Sequence, residues 1–437
     1  MRVGIVSLGC AKNLINSEQM MHLLKDAGFE VTGETEGVDV VVLNTCGFIE
    51  SAKIEAIETI LELGEAKRQS LFDKLIVTGC LVQRYKNEIF TELPEIDGAV
   101  GVGSFTDIVS AVKSATEGEE KPALFGDINA PVDETPRMIT TSPVSTYLKI
   151  AEGCDNRCAF CAIPDIRGKF RSRAMENIVQ EARDIAAQGI KELIVVAQDS
   201  TRYGVDLYGE RRLSELLEAL CKIDELQWIR LHYLYPSEID DKLIDTIAKN
   251  GKILKYMDIP IQHISDGVLK KMHRRGSGDQ TRALIKRLRT KIPGVVIRTS
   301  VITGLPGEGE AEFEELCEFL VEAKIERAGV FPYSPEEGTA AECMERTDAD
   351  TAAHRAELVV GIQSRIMDDF NQSRIDSATS VLIEGHNGTN YYGRSYAESP
   401  EVDGLIFVRG EGIEINDFVD VRIIDIENGD PVGELLK

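Results

Sequence analysis

Short apolar runs alternate with helical stretches through the first six-sevenths of this chain, and that alternation restricts it to an α/β architecture. In residues 1–103 the strand-like runs are Val3 to Ser7, Asp39 to Leu43, Lys74 to Val77 and Ala99 to Val102. Helical stretches such as Asn16 to Ala27 and Glu50 to Leu63 lie between them. Crossovers of that length predict an open parallel sheet flanked by helices. Cys10, Cys46 and Cys80 each follow one of the first three strands. Parallel strands bring their C-terminal ends to one edge, where open α/β sheets bind ligands, so these three thiols are expected to converge.

A chain of 437 residues exceeds one ordinary core. Residues 115–141 lose periodicity and gather proline, glycine and charge, as a linker does. From 142 to 371 a second α/β region has strand candidates at Thr146 to Ile150, Glu192 to Ala197, Trp228 to Tyr233, Tyr256 to Ile261, Val295 to Thr303 and Arg327 to Tyr333. Six βα units predict a partial barrel, with an eight-stranded barrel left open. Residues 372–437 carry short apolar runs at Ser380 to Ile383, Gly404 to Val408 and Phe418 to Ile426, punctuated by His386-Asn387-Gly388-Thr389. That pattern predicts a small β-barrel. The expected order is thus an N-terminal parallel-sheet domain over 1–114, the linker, a central partial (βα)6 barrel and a terminal β-barrel.

Asp and Glu number 74 against 49 Lys and Arg, a formal charge of -25. Over 376–437 alone the count is 13 against 4. Such a surface favours a basic partner and disfavours diffuse attraction to a nucleic-acid backbone, although a local basic patch can still bind RNA. The start MRVGIVSLGCAKN does not resemble a secretory signal, and no run approaches a membrane span, so a cytoplasmic protein without a membrane partner is expected.

The densest chemical signal is Gly153-Cys154-Asp155-Asn156-Arg157-Cys158-Ala159-Phe160-Cys161. Three thiolates on a short loop can hold three corners of a 4Fe-4S cluster and leave the fourth iron open. A structural zinc site is the competing reading, but it wants a fourth Cys or His, and Ala162-Ile163-Pro164-Asp165 supplies none. The set Cys10, Cys46 and Cys80 has three readings: exchanging thiols, ordinary buried thiols, or a second open-cornered cluster able to hold sulfur. Cys221, Cys317 and Cys343 read as unpaired core residues. At strand ends lie Gln198, His232, Gln262, His263 and the turn Gly304-Leu305-Pro306-Gly307. Gln198 and Gln262 suit hydroxyls or an amino acid moiety, and Gly304, Pro306 and Gly307 allow close backbone approach to a ligand or form a plain turn. The basic run Arg167 to Arg173 can bind a carboxylate, or can cap the following helix through Ser172.

The C-x-x-x-C-x-x-C run, with Phe160 before its last cysteine, resembles the radical S-adenosylmethionine superfamily, whose fold is a partial barrel. Along nearly its whole length the chain resembles that superfamily's methylthiotransferases. The matching segments are SLGCAKNLINSE at 7–18, NTCGFIESAKIEAI at 44–57, VTGCLVQRY at 77–85 and KIAEGCDNRCAFCAIPDIRGKFRSR at 149–173. They continue with VAQDSTRYG at 196–204, WIRLHYLYP at 228–236, IPIQHISDGVLKKMHR at 259–274 and FPYSPEEGTAA at 331–341, ahead of a TRAM-like terminal domain that would bind substrate. The resemblance implies two 4Fe-4S clusters, a radical-generating one on Cys154, Cys158 and Cys161 and an auxiliary one on Cys10, Cys46 and Cys80. It implies S-adenosylmethionine as cofactor, with sulfide or polysulfide on the auxiliary cluster.

CAKN and SPEEGT resemble the RimO-type branch, which modifies the β-carbon of an aspartate in small-subunit ribosomal protein twelve. The branch that methylthiolates isopentenyl adenosine in transfer RNA more often shows GCQMN-like and SPRPGT-like segments. The acidic terminal domain agrees with a basic protein partner, free or in the ribosomal particle. An electron donor is implied without its identity, and an iron-sulfur electron-transfer scaffold is the alternative that would leave S-adenosylmethionine intact.

Overall fold

The computed structural model describes residues 1–118 and 120–436. Glu119, within the expected linker, and Lys437, at the end of the terminal module, lie outside the described residues. The chain forms two compact units, one of Met1–Thr140, Lys149–Asn177 and Ser334–Glu342, the other of Thr141–Leu148, Ile178–Tyr333 and the chain from Cys343 onward.

The first unit is built on β1 (Arg2–Ser7), β2 (Glu30–Thr32), β3 (Val38–Thr45), β4 (Phe72–Gly79), β5 (Gly98–Val100) and β6 (Ala123–Leu124). They run in the order β2-β1-β3-β4-β5-β6, every neighbouring pair parallel. Because helices cover both faces, the central strands are apolar on both sides. Val41, Leu43, Leu75 and Val77 pack with Ala56, Ile60 and Leu63 of the Glu50–Arg68 helix. Val40, Val42 and Ile76 pack with Met20 and Leu24 of the Ala11–Asp26 helix and Ala111 and Val112 of the Ile108–Glu117 helix.

Two edge strands escape sequence patterning because they are only three and two residues long. One of them corrects the linker: Ala123–Leu124, inside 115–141, is the sixth strand of the sheet. It is held by Ala99 N–H to Pro122 O and Gly101 N–H to Leu124 O, both 2.8 Å.

In the second unit β7 (Ser145–Lys149) opens a new sheet. Beyond it, the antiparallel pair β8 (Ala151–Glu152) and β9 (Arg171–Ser172) belongs to the first unit. Ser172 lies in a strand, three residues ahead of the helix that begins at Met175. The second sheet continues with β10 (Glu192–Val196), β11 (Trp228–Leu231), β12 (Ile253–Asp258), β13 (Val296–Thr303) and β14 (Arg327–Pro332), in the order β14-β13-β12-β11-β10-β7. Six strands in sequential order make the partial (βα)6 barrel; the eight-stranded alternative is not the one adopted.

The terminal module is a closed barrel of β15 (Ala378–His386), β16 (Tyr391–Arg394), β17 (Ile406–Arg409), β18 (Phe418–Glu427) and β19 (Asp430–Leu435). Its β15–β16 turn is fixed by Asn387, whose Oδ1 accepts the N–H groups of Thr389 and Asn390 at 3.0 and 2.9 Å. Val381, Ile383, Ile406, Val408, Val421 and Ile423 fill its core.

The loop from Ser395 to Gly404, between β16 and β17, is seated on the second sheet. Tyr147 of β7 donates to Glu401 at 2.8 Å, and Tyr256 of β12 donates to Asp403 at 2.7 Å. Arg230 of β11 donates to the Tyr396 carbonyl at 2.9 Å, and Arg327 of β14 to Glu398 at 3.1 Å. Glu192 lies fully buried between Arg230 and Arg394, each at 2.7 Å. Burial alone would raise its carboxyl, but the Arg394 and Arg230 guanidiniums pull it down to about 2. Among the described residues no helix is long and apolar enough to cross a membrane.

Candidate active site

Cys10, Cys46 and Cys80 stand at the C-terminal edge of the first sheet, as strand order requires. Cys10 is the extended N-cap of the Ala11–Asp26 helix, Cys46 follows β3 directly, and Cys80 opens the Cys80–Tyr85 helix after β4. Glycine lets these turns close on one another. Gly9 has φ +88, and a Cβ there would stand 2.7 Å from Cys46 Cβ and 3.3 Å from its Sγ. Gly79 has φ +98, with Asn44 Oδ1 and Thr45 O at 2.3 and 2.4 Å from such a Cβ.

The three thiols feel one another. Burial, with the charges of Cys80 and Cys10 added, pushes Cys46 up to about 11. Burial also raises Cys80, against the pull of Arg167. At Cys10 burial acts in the same direction but is overcome by Lys12 and Arg167, so its thiol lies below the ordinary value. Two buried thiols and one half-buried one at a single sheet edge are suited to a sulfur-rich centre that takes them as thiolates on binding.

The loop of Cys154, Cys158 and Cys161 is closed at its base by the β8–β9 pair, where Ala151 faces Ser172 and Glu152 faces Arg171. Cys154 N–H donates to Gly168 O at 3.1 Å, and Cys161 N–H donates to Cys158 O at 3.0 Å. Arg157 takes a left-handed φ of +46, which curls the chain between the first two cysteines. Gly153, at φ +76, leaves no room for a side chain: a Cβ would lie 2.1 Å from Lys169 O. All three thiols are half-buried, reachable by a ligand. Among the described residues no three His, Cys, Asp or Glu side chains form a group that could hold a single metal ion. A four-iron cube distributes its thiolates over separate irons, so it does not need them to meet at one point.

The basic run after this loop is not a row of open cation sites. Arg167 ends the Ile163–Arg167 helix and is buried. Its Nη1 donates to Glu152 Oε1 at 3.0 Å, and its Nη2 to Asn13 Oδ1 and to Cys80 Sγ, the latter at 3.5 Å. Cys80 also packs with Ala162 and Ile166 of the same stretch. Arg173 pairs with Glu134 and donates to Lys149 O at 2.7 Å. The helix that follows one cysteine set thus packs onto a cysteine of the other.

The segment Ser334–Glu342 ties in as well. Glu336, with a side chain 2% exposed, pairs with Arg84 at 2.7 Å and Lys53 at 3.2 Å. Arg84 donates in turn to the carbonyl of Gly47, next to Cys46, at 3.0 Å. Ala341 N–H donates to Ala159 O, between Cys158 and Cys161, at 2.8 Å. The signal that pointed here was the SPEEGT segment; its ion-pair partners were not visible in it.

In the second unit Gln198 follows β10, Gln262 follows β12 and Gly304 follows β13, on one edge of the sheet. Gln262 has φ +68 and bridges to Val301, its N–H donating to Ser300 O and its carbonyl accepting from Ile302 N–H, both at 2.8 Å. Gly304 (φ +76) and Gly307 (φ +94) have internal reasons to be glycine: a Cβ would meet Ala352 at 2.4 Å and Lys271 at 2.9 Å. Pro306 between them is buried.

Behind this turn, Glu308 accepts from Gly304 N–H and from Arg355, both at 2.8 Å. His263 Nε2 stands 3.2 Å from Glu308 Oε2, close but not aligned as a hydrogen bond. His232, directly after β11, is bonded to Ser399 of the terminal module at 2.8 Å. Cys221 and Cys317 are half-buried and Cys343 is exposed, so none is a core thiol.

Three family models match: the Radical SAM superfamily over residues 148–320, the uncharacterized protein family UPF0004 over 2–101, and the TRAM domain over 376–436. The chain is 45% identical over 447 residues to the ribosomal protein uS12 methylthiotransferase RimO of Acetivibrio thermocellus, covering 100% of this chain and 98% of that one. It is 48% identical over 435 residues to the protein of that name from Caldanaerobacter subterraneus subsp. tengcongensis, covering 99% of each. Among solved structures it resembles the radical S-adenosylmethionine methyltransferase TsrM of Kitasatospora setae at 14% identity and a TM-score of 0.59. That match covers 78% of this chain and 74% of TsrM, and it is a likeness of fold.

Proposed function

We propose a reaction from one premise: this chain belongs to the RimO family of methylthiotransferases. It transfers a methylthio group to the β-carbon of an aspartate in small-subunit ribosomal protein uS12, using S-adenosylmethionine and iron-sulfur chemistry. The observation that carries this reading is identity near one half over essentially the whole chain to relatives of that activity.

Cys154, Cys158 and Cys161 are assigned to a 4Fe-4S cluster, and Cys10, Cys46 and Cys80 to a second one bearing sulfide or polysulfide. When bound, such clusters supply an electron that cleaves S-adenosylmethionine to a carbon radical and a sulfur that can be methylated and transferred. The donor chemistry fits: each set offers three thiols on glycine-bounded turns.

The chain's own contribution is placement. Gly9 and Gly79 let the turns of the first set approach, and Arg157 and Gly153 curl the loop of the second. Arg167 and Glu336 hold the surrounding helices and loops by buried ion pairs. Gln198, Gln262, Gly304, Pro306 and Gly307 are assigned to S-adenosylmethionine. Residues 1–114 and 142–371 would then carry the two clusters, and the acidic module 372–437 would receive the basic substrate.

The test is anaerobic reconstitution of the full chain with iron, sulfide, reductant and S-adenosylmethionine, followed by mass spectrometry of two substrates. Ribosomal protein uS12 should gain one methylthio group on an aspartate, with 5'-deoxyadenosine released. Modification of transfer RNA instead would overturn the substrate, and intact S-adenosylmethionine would overturn the enzyme reading.

A further inference from the structure

We propose that Arg167 is a positioning residue for the centre held by Cys10, Cys46 and Cys80, its guanidinium supplying the buried positive charge that raises that centre's reduction potential. The inference rests on the reading of those cysteines as cluster ligands.

The observations are geometric. Arg167 is 1% exposed and among the largest fully buried side chains. Its Nη2 lies 3.5 Å from Cys80 Sγ, and Asn13 Oδ1, which the same Nη2 bonds, also lies 3.6 Å from that sulfur. Its carboxylate partner is Glu152 Oε1 at 3.0 Å, but Glu152 also pairs with Lys149 at 3.0 Å, and Lys149 is 3% exposed.

Glu152 is thus shared by two buried cations, Arg167 and Lys149, and the second nitrogen of Arg167 is turned to the sulfur of Cys80. An anionic thiolate-ligated centre on Cys80 would lie directly beside that guanidinium. The planar guanidinium fork suits the place because it reaches a carboxylate with one nitrogen and the sulfur with the other, which an ammonium cannot do as well.

A reduced cluster carries one more negative charge than its oxidised form, so a fixed cation beside it favours reduction. Neutralising that cation must lower the potential, and removing the competing carboxylate must raise it. Opposite signs from neighbouring residues are an electrostatic signature that loosened packing does not produce.

The experiment is a redox titration of the auxiliary signal by electron paramagnetic resonance in full-length protein. Cys154, Cys158 and Cys161 are replaced by Ala so that a single cluster titrates. Arg167→Met is expected to shift the reduction equilibrium about tenfold toward the oxidised form, which is 59 mV for one electron. Glu152→Gln is expected to shift it the other way, and Arg167→Lys to stay near the parent.

Potentials of Arg167→Met and Glu152→Gln equal to the parent's at equal iron content overturn the inference. Should Arg167→Met not load iron, a potential that fails to rise in Glu152→Gln overturns it alone. If the parent of this series binds no iron at all, the ligand reading itself falls and the inference falls with it.

Discussion

Ala162, the residue after Cys161, packs against Cys80 in one buried cluster with Ile166. The stretch that follows one cysteine set thus reaches a cysteine of the other through a buried apolar cluster in which Ala162 is a small member. Ala162→Leu would overfill it at a cost of about 1–3 kcal/mol. Formation of 5'-deoxyadenosine should persist while methylthio product falls roughly tenfold, an added barrier of about 1.4 kcal/mol. The ratio of the two products measures this, and a parallel loss of both would show that the contact does not govern transfer.

Glu336 neutralises Arg84 and Lys53 at a site where all three side chains are at most 10% exposed. Glu336→Ala leaves buried Arg84 without its carboxylate, while Lys53 keeps Glu50 at 2.6 Å, a loss of about 3 kcal/mol. Urea unfolding should show a lower midpoint with iron loading reduced in both cysteine sets, because Arg84 also holds Gly47 and the Glu336 segment holds Ala159.

The positive-φ glycines next to the two sets are separable. Gly79→Ala should remove iron from the set of Cys10, Cys46 and Cys80, since its Cβ would collide with backbone at 2.4 Å. Gly153→Ala should remove it from the other set by the same argument at 2.1 Å. Iron analysis should therefore give about half of the parental content in each variant at one cluster per set. Full loading in either would refute the constraint assigned to that glycine.

Acid should weaken the second unit through Glu192 and Glu398. Burial opposes both charges, but Arg394 and Arg230 hold Glu192, and Arg374 and Arg327 hold Glu398, each at about 2 against an ordinary 4.5. Groups depressed on folding contribute stability above their unfolded value and lose it as pH falls through the folded one. Thermal unfolding of this unit should thus lose stability progressively from pH 4.5 to pH 2. Glu192→Gln should flatten that slope; an unchanged slope would remove Glu192 from the account.

The order of elements, the six-stranded partial barrel, the terminal barrel and the two sets of three cysteines were legible in the sequence alone. Each is encoded over short distances, in apolar periodicity, in the spacing of 154, 158 and 161, and in the recurrence of a cysteine after a strand. The edge strands Glu30–Thr32 and Ala123–Leu124 were not legible, because their pairing depends on a neighbouring strand and not on a pattern of their own.

Partner choice among buried charges was decided only by tertiary structure. Arg167 belonged to a basic run able to bind a carboxylate, and packing set it against Cys80, 87 positions away; Glu336 read as part of a signature until Arg84 met it across 252. The same holds for the Ser395–Gly404 loop, whose acids are satisfied by strands far earlier in the chain. A buried charge is stable only beside whatever groups the finished fold delivers, and no local run of residues specifies those groups.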